Sequence, residues 1–297
     1  MWGSAKVVNR RKLVVNVDDL ALHPSVSRFV GRAIERSAIT STSVLANGPY
    51  LNDVRAMNDA GEFATIGLGA HLNVLRGSPL SPPGEVTTLL GTGGMFLGNF
   101  TRFALRLAAG RIQISEIERE WSRQIERLLD LGLKLTHLDS EQHTHCLPVL
   151  MPIMGRLACR YGVRWVRRPV ELVCPGASVV NGLKAGLLGW WVNKAEPLPN
   201  GISSAQLVWG IVDQGTRFSA ERLASYLHLH QQANVIEVIC HPGLPKPSDP
   251  VVAPSYGPLR VPRYWDLEAK TILSESWART INEYGFSPAH FGEIETC

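Results

Sequence analysis

Along nearly the whole chain, apolar runs of about four to eight residues alternate with longer segments of helical spacing, the pattern of repeated βα units around a parallel sheet. Lys12 to Val17 reads as a buried strand and Ser25 to Ser37 as the helix after it, with Pro24 and Ser25 suited to a helix start. Thr42 to Leu45, Ala64 to Asn73, Leu135 to Asp139, Arg164 to Arg167 and Val235 to Cys240 read as further strands. Helices are expected at Tyr50 to Asn58, Ser115 to Leu131, Pro148 to Tyr161, Ser219 to His230, Trp265 to Ser274 and Glu275 to Tyr284, with a short last strand near His290 to Ile294. Loops rich in Gly or Pro, Arg76 to Gly94 and Pro242 to Pro262, interrupt this order, as does an irregular middle from Cys174 to Gly215 around Trp190 and Trp191. Roughly six or seven such units predict an α/β fold, one deformed TIM-like (β/α) barrel domain over residues 1–297 with a variable insert at about 174–215.

A content of 45% apolar and 19% charged residues suits a soluble core of this size. Part of the net charge of +4 lies in Arg156, Arg160, Arg164, Arg167 and Arg168, which read as a solvated helix face plus one or two anion-binding arginines. No aromatic-interleaved basic motif accompanies them, so nucleic acid is not an expected partner. Cys146, Cys159, Cys174, Cys240 and Cys297 are odd in number and lack CxxC spacing, which argues against a disulfide framework or structural zinc site. With a basic start, Met1 to Lys12, that lacks an apolar h-region, this predicts a cytoplasmic protein. The most apolar run, Leu183 to Val192, is too short to span a bilayer but could touch one peripherally.

Chemistry gathers where the predicted strands end, the side on which α/β folds place their sites. Asn16-Val17-Asp18-Asp19 ends the first strand, Gly69-Ala70-His71-Leu72-Asn73 the third and Cys240-His241-Pro242-Gly243 the last long one. Between them, Thr136 to His145 sets His137, Asp139, Glu141, His143 and His145 on alternate residues, so an extended segment would put all five on one face. Unpaired burial of so many polar groups is costly, so they must be exposed in a cleft, hydrogen-bonded together or bound to metal. Taken singly, Asp18 and Asp19 could cap a helix, His71 could be a satisfied core histidine and His241 could close a turn. Their coincidence on one rim points to metal-assisted hydrolysis.

The motifs resemble, in order, those of the YdjC-like carbohydrate deacetylases. Asn16-Val17-Asp18-Asp19-Leu20 is similar to the family's opening Asn-Ala-Asp-Asp-Phe-Gly; Ser41 to Gly48, His71-Leu72-Asn73 with Gly77-Ser78-Pro79-Leu80, and His137-Leu138-Asp139-Ser140 follow. Arg167-Arg168-Pro169, Glu237 to Gly243 and Arg263 to Glu268 complete a resemblance over nearly the whole chain. The resemblance implies a deformed TIM-like barrel holding one divalent cation (Mg, Mn or Zn) and removing the acetyl group from an N-acetylated amino sugar, an oligosaccharide or a glycolipid head group. It implies Asp19 and His71 as metal ligands, Asp18 as general base and His241 as general acid. Arg167 and Asn73 are the candidate substrate-binding side chains, with pairing to Asp18 as the other role open to Arg167. Members of the family are often dimers, so a homodimer is a further expectation.

The family's third ligand is a histidine, and Glu141 stands at that position. Glu141 could ligate, favouring a harder cation and making a weaker Lewis acid. Alternatively His143 or His145 could complete the site. In a third reading no metal binds, and the chain is a non-catalytic carbohydrate-binding relative. Leu20 and Ala21, where the family has Phe and Gly, are expected to change packing or loop shape only.

Overall fold

The computed structural model describes residues 11–252, 256, 260 and 262–295. The basic start before Arg11, parts of the Pro-rich loop (253–255, 257–259 and 261) and Cys297 lie outside the described residues.

The expected alternation is present. Strand β1 (Arg11–Leu20) leads into helix α1 (Pro24–Glu35), followed by β2 (Ser41–Val44), α2 (Leu51–Asp59) and β3 (Gly67–Leu72). After a long excursion come α3 (Phe100–Ala108), α4 (Ile114–Asp130), β4 (Leu135–Ser140), α5 (Met151–Tyr161) and β5 (Trp165–Val166). Then follow α6 (Val179–Lys194), β6 (Leu207–Trp209), α7 (Ala220–Leu229), β7 (Val235–Cys240), α8 (Pro262–Ile272), α9 (Glu275–Glu283) and β8 (Phe286–Pro288).

All pairings in the sheet are parallel, in the order β5-β4-β3-β2-β1-β7-β6, with β8 added beside the start of β1. Backbone hydrogen bonds from Val166 N–H to Ser203 O and from Val208 N–H to Val170 O tie the two ends together, so the sheet curls into a deformed barrel with a thin seam beside β5.

The two faces of the sheet differ in chemistry. Leu13, Val15 and Val17 of β1 join Phe29 of α1, Trp121 and Ile125 of α4 and Leu157 of α5 in the main core. Residues of the opposite parity line the lumen. Val14, Trp165 and Phe291 form a small apolar plug, and above it sit buried Asn16, Asp18, Ser43, Asp139, Arg167 and Glu237. These buried polar groups bond one another, with Asn16 Nδ2 donating to Asp18 and Ser43 and Ser43 Oγ donating to Asp139.

Three expectations need correction. The middle, read as irregular, contains α6, and its β6 pairs with β7 inside the main sheet. Helix α6 is apolar on both faces and carries Gly182, Gly186 and Gly189, so it lacks the polar stripe by which a surface helix is recognised. Helix α3 was likewise not anticipated, and its start is capped by Asn99, whose side chain accepts from Arg102 N–H. The last strand is Phe286–Pro288 rather than His290 to Ile294, because the His290 side chain caps a 3-10 turn over Phe291–Glu293. Among the described residues no helix is long and apolar enough to cross a membrane.

Candidate active site

The barrel's C-terminal mouth is built first by β1. Successive strand residues normally face opposite sides, yet both Asp18 and Asp19 are buried at the mouth. The register against β2 shifts between Val17 and Leu20, and Asp19 has φ 69, a bulge that turns two adjacent carboxylates inward. Ala21, which stands where the family motif has glycine, also takes a left-handed φ of 79.

The polar run after β4 is only partly extended. The strand ends at Ser140, and Glu141–Cys146 winds into a 3-10 turn in which Gln142 and His143 have φ of 50 and 55. The five alternating groups therefore part company. His137 lies deep in the lumen against Phe291, over Gly69, where a Cβ would meet the imidazole at 2.3 Å. Burial pushes its pKa down to about 4, so it is neutral. His145 is spent on Ser140 Oγ and on the Arg167 carbonyl oxygen at 2.7 Å, and His143 lines the cavity without joining the carboxylate cluster. Asp139 and Glu141 meet at His71.

His71 Nδ1 is 2.7 Å from Asp139 Oδ1, which fixes the ring and leaves Nε2 facing Asp19 Oδ1 at 3.6 Å and Glu141 Oε2 at 3.8 Å. Ligand atoms of Asp19, His71 and Glu141 all lie within 4.8 Å of one another, as do those of Asp18, His71 and Asp139. Burial alone would lower the His71 pKa, but Asp139, Glu141 and Asp18 together raise it well above the ordinary value.

Two arginines that the sequence reading did not single out enter this cluster. Arg260 donates from Nε and Nη2 to the two oxygens of Asp19 at 2.7 and 2.9 Å, and from Nη2 to Glu141 at 2.6 Å. Arg76 donates from Nη1 to the other Glu141 oxygen at 2.7 Å. Both guanidinium groups also donate to the Tyr256 carbonyl oxygen. Burial raises the Glu141 pKa, but Arg260, His71 and Arg76 outweigh it and keep the carboxylate ionised. Arg260 is an isolated arginine in a Pro-rich loop, and only the unpaired charge of Glu141 hinted that a cation would be near.

Asp18 faces a third arginine. Arg167 grips both Asp18 oxygens at 2.8 Å and also reaches Glu237 Oε1 at 2.7 Å and Asp139 Oδ2 at 2.8 Å. Burial pushes the Asp18 carboxyl up, but Arg167, His71 and His241 reverse this and hold it well below the usual carboxylate range. Glu237, dominated by burial, rises to about 7. The Nε2 of His241 is 3.9 Å from Asp18 Oδ2, and its backbone N–H donates to Glu268, which anchors the turn after β7.

Asp18, His71, His143, Lys184, His241 and Arg260, with Gln142, Gln214 and Tyr256, line a cavity of about 220 Å³, and Asp19 and Glu141, held by Arg260, lie outside its lining. Among the described residues, His143 Nδ1 is buried without a protein partner. Asn73 does not reach the cavity. Its Nδ2 donates to Asn47 Oδ1 and the Arg76 carbonyl oxygen, and its Oδ1 accepts the N–H groups of Leu75 and Arg76. Arg167 is buried beneath Asp18, with its donors taken by carboxylates.

The model of the family described as YdjC-like protein matches residues 12–283. The chain belongs to the YdjC-like family. A carbohydrate deacetylase of Listeria monocytogenes (serotype 4a, strain HCC23) is 34% identical over 166 residues, covering 56% of this YdjC-like chain and 64% of the Listeria protein. The chain thus matches somewhat less than two thirds of that relative's length. A human carbohydrate deacetylase is 29% identical over 252 residues, 80% of this chain and 76% of the human one. A crystal structure of a candidate cellobiose-phosphate cleavage protein from Enterococcus faecalis V583 superposes with a TM-score of 0.74 at 20% identity, covering 97% of this chain and all of the other. That likeness shows a shared fold.

Proposed function

We propose that the chain is a metal-dependent hydrolase that removes the N-acetyl group from an N-acetylated amino sugar. The observation that carries this reading is the cluster of the Asp19, His71 and Glu141 donor set with the Asp18 and His241 pair, of which Asp18, His71 and His241 line one cavity. The relatives named carbohydrate deacetylases give the reaction class its support.

The donor set suits one divalent cation once His71 gives up the proton its carboxylate neighbours favour: two carboxylates and one imidazole, its Nδ1 oriented by Asp139. Two hard oxygen donors favour magnesium or manganese beside zinc. Because Arg260 lies on the same two carboxylates, cation and guanidinium compete for them. A bound cation would supply Lewis acidity, lowering the pKa of water and polarising the acetyl carbonyl.

The chain's own residues do the rest. Asp18, kept ionised by Arg167, accepts the proton of the attacking water at a carboxylate oxygen. So low a pKa makes a modest base, and the His241 ring nearby passes a proton to the departing amine. Asn73 works at one remove, pinning the backbone of Arg76, which grips Glu141. His143, with its free Nδ1, together with Gln142, Lys184 and Gln214, forms the polar lining for sugar hydroxyls.

The ion pair from Arg260 to Asp19 and Glu141 favours a second reading, a carbohydrate-binding protein without turnover. Acetate release separates the two. Metal-stripped protein is assayed on N-acetylglucosamine oligosaccharides and glycolipids with zinc, manganese, magnesium or no metal restored. Metal-dependent release that vanishes in Asp18→Asn establishes the deacetylase. Sugar binding with no release under any metal establishes the binding protein.

A further inference from the structure

Helix α6 breaks the rule by which a surface helix turns one apolar face inward. Its inner face is supplied by buried Ala185, Leu188 and Val192. On the opposite side Val179, Val180, Leu183, Leu187 and Trp190 are 78%, 73%, 71%, 47% and 55% exposed. At 3.6 residues per turn these five fall within an arc of roughly 100°, so they form one continuous apolar stripe rather than scattered surface residues.

The patch extends beyond the helix. Leu172 and Val173 are exposed just before it, and Val173 lies beside Gly182. On the other side the Phe100 ring, at the start of α3, is 6.1 Å from that of Trp191, and Leu105 of α3 is exposed. The charge within the two segments that carry the patch is basic, with Glu171 and exposed Glu196 just outside the first and Glu85 and Glu116 just outside the second. Residues 172–195 contain Lys184 and Lys194 and no acidic residue, and residues 86–115 contain Arg102, Arg106 and Arg111 and again none.

We propose that the outer face of α6, with the neighbouring edge of α3, docks on an anionic lipid bilayer. The apolar stripe would enter the boundary between headgroups and acyl chains while the lysines and arginines meet lipid phosphates, the mode of a helix lying in the membrane plane. The charge pattern favours this occupant over a second copy of the chain, since self-association through the patch would bring the exposed Arg102, Arg111 and Lys194 against cations of the same sign. Lys184, on the same helix, also lines the cavity, so docking would set the cavity mouth at headgroup level. If the deacetylase reading holds, the amino sugar is then presented on a lipid.

The test is flotation of the full chain with vesicles of phosphatidylcholine, with and without phosphatidylglycerol. Wild type is expected to float with the anionic vesicles, and Leu183→Glu with Leu187→Glu to reduce the bound fraction roughly tenfold or more. Lys194→Glu with Arg102→Glu is expected to weaken binding to anionic vesicles selectively. All four side chains are exposed, and unchanged circular dichroism would show that the variants fold. Binding needs no turnover, so its outcome is independent of the acetate assay. Failure of the wild type to float, or flotation unaffected by the leucine substitutions, overturns the proposal. So does sedimentation showing a dimer that the leucine substitutions convert to monomer, which would assign the face to a second copy.

Discussion

Arg260 and Asp19 lie 241 residues apart in sequence and meet through two parallel hydrogen bonds, at 2.7 and 2.9 Å. The same guanidinium reaches Glu141, so one cation already spans both carboxylates of the candidate metal cluster.

A divalent cation binding there must displace that charge. Arg260→Gln is therefore expected to raise affinity for manganese or zinc at least roughly tenfold, since a like charge within a few ångströms costs several kcal/mol even at moderate screening. Titration calorimetry on metal-stripped protein, with bound metal counted after dialysis, reads this directly. Equal affinities in the two proteins would mean that the guanidinium and the cation do not share ligands.

Restoring the family's histidine should be harmful by itself. Glu141→His leaves Arg76 and Arg260 facing a neutral or cationic ring, and a buried pair broken on one side costs about 3 kcal/mol. Adding Arg260→Gln should recover part of that loss, giving a coupling of about 1 kcal/mol or more in a double-mutant cycle of urea unfolding. Strict additivity would show that Glu141 and Arg260 are not energetically paired.

Arg167 is the hub of the lumen, contacting Asp18, Asp139 and Glu237 while buried. Arg167→Met removes the only guanidinium described in contact with all three and should lower unfolding free energy by about 3–5 kcal/mol. Loss should exceed that of the Met substitution at exposed Arg156, whose pairing with Glu118 is at the surface. Similar unfolding midpoints for the two variants would count against the lumen cage.

Glu171 accepts the backbone N–H groups of Gly210, Ile211 and Val212, yet burial outweighs these and pushes its pKa from 4.5 to about 7. Between those values the folded chain holds a proton that the unfolded chain has lost. Its contribution to stability is therefore full below about pH 4.5 and declines as pH rises through 7. In Glu171→Gln that slope should flatten, read as unfolding free energy against pH relative to wild type. An unchanged slope between these pH values would refute the assignment.

The strands and most helices were legible because apolar spacing and short buried runs are local signals. That Asp18, Asp19, His71, Glu141 and His241 come together was also legible, since polar groups at the ends of apolar strands share one end of the sheet. Arg76 and Arg260 were not, because a single arginine in a loop has no local pattern and acquires meaning only through carboxylates far away in sequence. The 3-10 turn that sends His143 and His145 apart depends on left-handed residues Gln142 and His143, which no glycine announced. Helix α6 stayed hidden because its apolar outer face erased the periodicity that reveals a helix.

The ion cage inside the barrel has a consequence for how this protein can change. Asp18 is at once a wall of the lumen and the carboxylate proposed as general base, and its low pKa comes largely from the arginine that holds the strands' polar interior together. A substitution at Arg167 that sharpened the base would loosen the scaffold in the same stroke. Change at the cavity is therefore freer at Gln142, Lys184 and Gln214, which line it outside the cage.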